Sequence, residues 1–222
     1  MNIKIVLPLA HRVHVADAVI EALNAQTVPS EVVLLAQTVE AGEYAAASGL
    51  EWEMGETGAP GDRYSFAAMA ASQPDYWAFC DDDALYAPDY LERALESHTR
   101  PVFGWWAFNL KRQESGWPKS YHSRVEISKV GKPADFLGSC GLVAEASVVR
   151  ACGKCPPVCR WVDDLWFCGR AQSLGYRLEK GAGDITFLPE VKDEHTLSLS
   201  PELQSKDVLA DYWLHPFVSR PT

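Results

Sequence analysis

No apolar run in the 222-residue chain approaches the roughly 18 residues that a membrane-spanning helix requires, so no membrane anchor is expected. The first residues, MNIKIVLPLAHR, hold too short an apolar stretch and no small-residue cleavage site for a signal peptide, and a cytoplasmic protein is expected. Positive charge is scarce too. Twenty Lys and Arg against thirty Asp and Glu leave a net charge of −10, which excludes a globally basic nucleic-acid binder. Internal repeats and low-complexity tracts are absent. The composition, 47% hydrophobic and 23% charged, is enough for an ordinary core, and apolar residues spread from end to end suggest one domain over residues 1–222. Six cysteines without a secretion signal point to reduced thiols.

Local patterns suggest how that domain is built. Ile3 to Leu7 is a short apolar run ended by Pro8. Val15 to Ala25 has helical spacing, and Glu31 to Leu35 is again strand-like. A β-α-β unit implies parallel strands joined by a right-handed crossover, with ligands at the carboxyl ends of the strands. Helix formers fill Ala41 to Leu50, a third strand fits Leu50 to Met54, and Gly55, Gly58, Pro60 and Gly61 mark a loop. A helix over Tyr64 to Ser72 then leads to a strand at Tyr76 to Cys80, which delivers Asp81, Asp82 and Asp83. Pro88 precedes a helix over Asp89 to Ser97, and VFGWWAF and SRVEISKV read as strands of an insertion over about 100–137. Residues 142–150 fit a short strand and helix, 164–174 a helix, and Val208 to Leu214 a closing helix.

Three successive aspartates at the end of an apolar strand are costly unless a cation or solvent neutralises them. A solvated acidic turn ahead of the next helix is one reading. The other is a hard divalent ion, Mg2+ or Mn2+, which takes one or two protein carboxylates and completes its shell with phosphate oxygens. A nucleotide-sugar donor presents that demand, because its diphosphate leaving group gains charge as the glycosidic bond breaks.

The segment PDYWAFCDDDALYAPDYLERAL resembles the DxD region of family 2 glycosyltransferases, and RWVDDLWFCGRAQSLGYRL resembles that family's acidic pair, helix and G-Y-R segment. The resemblance implies a GT-A fold, an α/β/α sandwich with a mostly parallel sheet, whose nucleotide-binding part covers about 1–98 and acceptor part about 138–222. It implies a nucleotide-sugar donor and Mn2+ or Mg2+ held by Asp81 and Asp83, with Asp82 between them on the donor side. His195, in D-E-H-T-L-S, falls where members supply a histidine to the metal or diphosphate; a surface histidine is the alternative. Asp164 takes the position of the general base in inverting members, with Asp163 orienting the site. A helix-opening carboxylate suits that role because it can be held rigidly opposite the leaving group, although either aspartate also serves as a helix cap.

Further donor contacts are implied at Pro8, Ala10 and Arg12, where P-L-A-H-R looks like the family's first-strand motif, and at Arg63, for which simple solvation is equally compatible. GSCGLVAEASVV is similar to the loop bordering the acceptor, which brings in Gly138 and Ser139, with Trp161 ahead of the acidic pair. One departure stands out. Where the family has an aspartate that recognises the nucleobase, this chain has Ala36 and Gln37, and a glutamine amide both donates and accepts. The expected activity is inverting transfer of a sugar to an acceptor hydroxyl. A nucleotidyltransferase lacks support because the usual glycine-rich loop after the first strand is missing. A non-catalytic binding module of the same fold would have no need of Asp164.

Two features stand outside that scheme. Cys152, Cys155 and Cys159, with Cys168 nearby, form C-x2-C-x3-C, which fits structural zinc or a set of reduced thiols. Residues 100–132 carry seven basic side chains against Glu114 and Glu126, interleaved with Phe103, Trp105, Trp106, Phe108, Trp117 and Tyr121. Cations among aromatic faces suit a glycan or a nucleic-acid acceptor, such as hydroxymethylated bases in phage-like DNA. Membership of the tryptophans in the core is the alternative.

Overall fold

The computed structural model describes residues 1–111 and 124–188. Strands β1 (Ile3–Leu9), β2 (Glu31–Ala36), β3 (Glu51–Met54) and β4 (Tyr76–Phe79) run parallel in the spatial order β3-β2-β1-β4. Helices α1 (Val13–Asn24), α2 (Val39–Ser48) and α3 (Asp62–Met69) provide the crossovers. The sheet continues past β4 through β11 (Leu142–Glu145), β6 (Val102–Gly104), β12 (Leu178–Lys180) and β9 (Pro133–Ala134). Strand β11 is antiparallel to both β4 and β6, so β6 and its parallel neighbour β12 point the same way as β1 to β4.

Side-chain alternation produces the three layers. Ile3, Ile5, Leu7 and Leu9 of β1, Val32, Leu34 and Ala36 of β2, and Ala78 of β4 face a core shared with α1, α2 and α4 (Tyr90–Ser97). Val6, Leu35, Trp77 and Phe79 face the opposite core, shared with α3, α5 (Ala146–Cys152) and α6 (Asp163–Ser173). A sheet covered on both faces is what near-continuous apolar strands require. Edge strand β3, EWEM, is exposed at every position and carries two glutamates, which discourage edge pairing.

The first strand does not stop at Pro8. It runs to Leu9, with Pro8 buried opposite Leu35. The carbonyl of Val6 faces β4, accepting from the Cys80 N–H at 3.2 Å, and that of Leu9 faces β2, accepting from the Gln37 N–H at 2.8 Å. By parity Pro8 also faces the β4 side, but Val6 is already paired with Phe79, the last residue of β4. The missing proline N–H therefore costs no ladder bond.

The stretch expected as an insertion from about residue 100 begins inside the core. Val102–Gly104 is a strand of the main sheet, and the chain turns at Trp105 and Trp106 into β7 (Ala107–Leu110), which joins β8 (Arg124–Glu126) and β10 (Phe136–Leu137) in a second sheet. A three-residue strand buried throughout shows no period of two, so pattern alone cannot assign it to a sheet. Phe103 and Phe108 belong to the core, whereas Lys111, Lys129 and Lys132 are exposed. Arg112, Glu114, Trp117, Lys119 and Tyr121 lie outside the described residues, as do His195 and the helix expected at 208–214. Among the described residues no helix is long and apolar enough to cross a membrane.

Candidate active site

From β1 the chain builds outward to β2 and β3, then returns through α3 to place β4 on the other side of β1. Such a reversal leaves a crevice at the carboxyl ends of the two strands. Residues 10–12 leave β1 there and residues 80–83 leave β4. The ends of β2, β6 and β12 share the same edge because those strands run in the same direction.

The aspartate triplet is held by specific contacts. The N–H of Asp81 donates to the Tyr86 hydroxyl at 2.7 Å, and Tyr86 is buried in β5 (Ala84–Tyr86). That short strand pairs with β13 (Ile185–Phe187), beyond which the Leu188 N–H donates to the Asp83 carbonyl at 2.8 Å. Arg12 Nη1 lies 2.9 Å from Asp82 Oδ1 and 3.4 Å from Asp83 Oδ2, so one guanidinium serves two carboxylates. Burial raises the pKa of Asp82 above the usual carboxylate range, against the pull of Arg12. Asp83 is pushed up to about 6, first by burial and then by its neighbour Asp81, with Arg12 opposing and Asp82 adding. Its Oδ1 is buried without a hydrogen-bond partner among the described residues.

Arg63 lies in the first turn of α3 and is 5% exposed, which rules out the alternative of a solvated side chain. Its Nη1 donates to Asp81 Oδ1 at 2.6 Å, and its Nε lies 3.2 Å from Asp163 Oδ2 and donates to the Pro60 carbonyl at 3.0 Å. Burial works against the guanidinium charge, but Asp81 and Asp163 outweigh it and push the pKa up. The two acidic motifs found in sequence therefore meet at one buried cation. Asp163 and Asp164 open α6 and are both buried, with Asp164 Oδ1 accepting from the Leu165 N–H at 2.8 Å. Carboxylates at a helix N-terminus are favoured by the unpaired N–H groups and the helix dipole.

The loop between β3 and α3 is shaped by a residue that the sequence reading passed over. Asp62 accepts from the N–H groups of Thr57 and Gly58 at 2.8 and 2.9 Å and from the Thr57 hydroxyl at 2.8 Å. Gly55 has no room for a side chain, since a Cβ there would stand 2.7 Å from Asp62 Oδ2. An acidic residue just after a glycine-rich loop was the available signal. Tyr86, five residues beyond Asp81, was also missed; an aromatic after an acidic turn reads simply as core.

The other expected residues fall around the same edge. The Ala10 carbonyl accepts from the Thr38 hydroxyl at 3.0 Å, which also caps α2. Gln37 follows β2, and its Nε2 is buried without a hydrogen-bond partner among the described residues. Gly138 and Ser139 belong to the turn entering β11, where the Gly141 N–H donates to the Phe79 carbonyl at 3.0 Å. A Cβ on Gly138 would meet the Trp106 ring at 2.9 Å. Trp161 is half-buried in the turn before α6, with the Arg160 guanidinium 5.8 Å from its ring. A depression of about 520 Å3 bordered by Asp75, Glu145 and Arg150 lies at the opposite end of β4, away from all of these groups.

No group of three His, Cys, Asp or Glu side chains among the described residues converges as a metal cage. For the cysteines, of the two readings left open, this fits a set of thiols better than a zinc site. Cys168 packs against the Leu137 backbone with its Sγ 3.3 Å from the N–H, Cys152 and Cys159 are buried, and Cys155 is half-buried. Burial raises the thiol pKa at Cys152, Cys155 and Cys168, opposing the thiolate that zinc needs. The aspartate triplet faces a different requirement. Mg2+ or Mn2+ needs only one or two protein carboxylates when phosphate and water supply the rest, and the unpartnered, buried Oδ1 of Asp83 is a donor of that kind.

No protein-family model matches the sequence, and no curated protein resembles it at the sequence level. Solved structures do match. TarS from S. aureus, residues 1–349, matches with a TM-score of 0.56 at 18% identity, over 83% of this chain and 58% of that one. GalNAc-T7, solved with UDP, GalNAc and Mn2+, gives 0.62 at 10% over 85% and 44%. The mannosyltransferase PcManGT from Pyrobaculum calidifontis, solved with GDP-Man and Mn2+, gives 0.57 at 16% over 87% and 58%. The chain thus spans less than two thirds of the length of each, and at these identities the likeness establishes the architecture, which is GT-A.

Proposed function

We propose that this chain is a metal-dependent glycosyltransferase that moves a sugar, with inversion, from a nucleotide-sugar donor to an acceptor hydroxyl. The observation that carries the reading is the bridge through Arg63, which joins the aspartate triplet at the end of β4 to the acidic pair at the head of α6. A leaving-group site and a proton-accepting site must stand on either side of one reacting carbon, and the two motifs occupy adjacent places at a ligand-binding edge. The structural neighbours were solved with UDP, UDP-GlcNAc or GDP-Man, two of them with Mn2+, which supports a nucleotide-sugar donor and a divalent ion here.

In this reading Asp83 and Asp81 hold Mn2+ or Mg2+, and His195 adds a ligand from the segment that follows Leu188. The ion, when bound, neutralises charge developing on the departing diphosphate. Arg12 and Asp82 border the donor diphosphate, with Ala10 and Pro8 beneath the nucleotide and Gln37 at the base. The Gln37 Nε2, already buried without a partner, would donate to a carbonyl of that base. Gly138, Ser139 and Trp161 line the acceptor side. Asp164 accepts the proton of the acceptor hydroxyl as it attacks, and Asp163, fixed by Arg63, orients the helix that carries it. The acceptor is a glycan or a hydroxymethylated base in DNA, the two classes that suit a segment of sequence in which basic and aromatic residues interleave.

A thermal-shift panel of UDP-, GDP-, CMP- and dTDP-sugars, each with Mn2+ and with EDTA, tests the donor and the metal together. A ligand at 100 times its Kd stabilises the folded state by about 2.7 kcal/mol, and one sugar nucleotide should raise Tm only when metal is present. Stabilisation by none of them would remove the reading. Asp164→Asn should keep that donor shift and lose transfer by at least about 100-fold; an unchanged rate would exclude Asp164 as the base. Release of a nucleoside diphosphate, and not pyrophosphate, separates this activity from nucleotidyl transfer.

A further inference from the structure

Sequence alone assigns Arg63 to the donor diphosphate or to solvent, and its guanidinium is not in solvent. It is buried, with Nη1 donating to Asp81 and also 3.4 Å from the Cys80 carbonyl, and with Nε, whose N–H donates to the Pro60 carbonyl, at an ion-pair distance of 3.2 Å from Asp163 Oδ2. We propose that Arg63 is a positioning residue that couples the cation site at the triplet to the acidic pair at the head of α6. It holds Asp81 and Asp163 together, and a divalent cation at the triplet competes with it for Asp81.

The proposal rests on the metal reading above and adds what this chain's own arginine does there. A guanidinium keeps its proton under all ordinary conditions and is a planar fork, so one group can hydrogen-bond Asp81 while its charge holds Asp163 beside it at a fixed place. A divalent ion that approaches Asp81 meets a like charge that burial leaves poorly screened. Arg63 therefore weakens cation binding while fixing Asp163, one position before the proposed base. By linkage, whatever loosens its hold on Asp81 must act equally on the other partner, so loading of the donor side and the geometry of the acceptor side are joined.

Arg63→Gln and Arg63→Lys separate charge from fork. With the full chain and Mn2+ alone, calorimetry should show Arg63→Gln binding the ion roughly tenfold more tightly than wild type, while sugar transfer falls at least about 100-fold. Arg63→Lys keeps the charge without the fork; its Mn2+ affinity should stay within about threefold of wild type, with transfer still impaired. Unchanged or weaker Mn2+ binding by Arg63→Gln, or full transfer by Arg63→Lys, would overturn the proposal. A denaturation cycle in EDTA over Arg63→Gln, Asp163→Asn and the double variant reads the bridge without metal. The double variant should lose less stability than the two single losses together, whereas strict additivity would refute the bridge. If the wild type binds no Mn2+, the cation reading fails and the coupling with it, but the cycle still decides whether Arg63 and Asp163 act as a unit.

Discussion

Replacing Asp83 by asparagine should make the metal-free protein more stable and the metal-dependent one inert. Asp83 titrates at about 6 instead of 3.8, because burial and the adjacent Asp81 and Asp82 outweigh Arg12. A group whose folded value lies above its unfolded value is held more tightly as the neutral acid. Its cost is absent below about pH 4, grows as the pH rises to about 6, and is complete above that. At 1.36 kcal/mol per pH unit the displacement corresponds to about 3 kcal/mol. The carboxylate is 25% exposed, and discounting by about half for solvent screening leaves about 1–2 kcal/mol. For a chain of this length that is a Tm increase of about 3–6 °C for Asp83→Asn at pH 7.5 in EDTA. The wild type should lose stability between about pH 4 and 6 in EDTA, and the variant should show a flatter profile. Adding Mn2+ with the cognate nucleotide-sugar should raise Tm for wild type and leave the variant unmoved. A variant less stable than wild type at pH 7.5 would mean that the Arg12 contact outweighs burial, and the argument from the triplet's electrostatic cost would fall.

Gly141 has a φ of +74°, and a Cβ there would stand 2.4 Å from Ile185 Cδ1 and 3.0 Å from the Tyr90 hydroxyl. Left-handed strain of about 1–2 kcal/mol and overpacking of about 1–3 kcal/mol should make Gly141→Ala a markedly unstable protein in urea denaturation; wild-type stability would show that the turn into β11 is freely remodelled. Tyr86→Phe removes the acceptor for the Asp81 N–H, at a cost of about 1–3 kcal/mol. It should also weaken Mn2+ binding measured by calorimetry, and a change in neither would detach Tyr86 from the triplet.

The parts of the fold that were legible in sequence are those where neighbours in the chain are neighbours in space. The β1-α1-β2 unit, the helices at Val39–Ser48 and Tyr90–Ser97, and the strand leading into the aspartates all lie within about two residues of their expected bounds, set by apolar spacing and by caps such as Thr38 and Gly49. The β5–β13 pair was not legible, because it joins Ala84–Tyr86 to Ile185–Phe187 across the molecule and neither three-residue segment carries a period of its own. The same holds for Arg63. Two carboxylates far apart in sequence share one guanidinium, and nothing in the run GDRYS announces that the arginine is buried. Chemistry-bearing residue types were visible; their partners were not, since a partner is a property of the packed chain.

The aromatic residues near 105 show how far this reaches into function. As part of a basic insertion, Trp105 and Trp106 would be a surface for capturing a polymer at a distance from the reaction. In the structure they are half-buried at the carboxyl end of β6, two strands from β4 and thus roughly 10 Å from the triplet by sheet spacing. Phe187 packs against both, with centroids at 6.2 and 5.5 Å, and the Lys180 ammonium lies 5.3 Å from the Trp105 ring. The turn holding Gly138 and Ser139 fits between this corner and the end of β4 because Gly138 leaves room for Trp106. Under the proposed glycosyl transfer, an acceptor approaching along that edge would meet rings packed at the end of the main sheet. Its recognition would then depend on packing at the reacting end more than on the charge of the segment that follows.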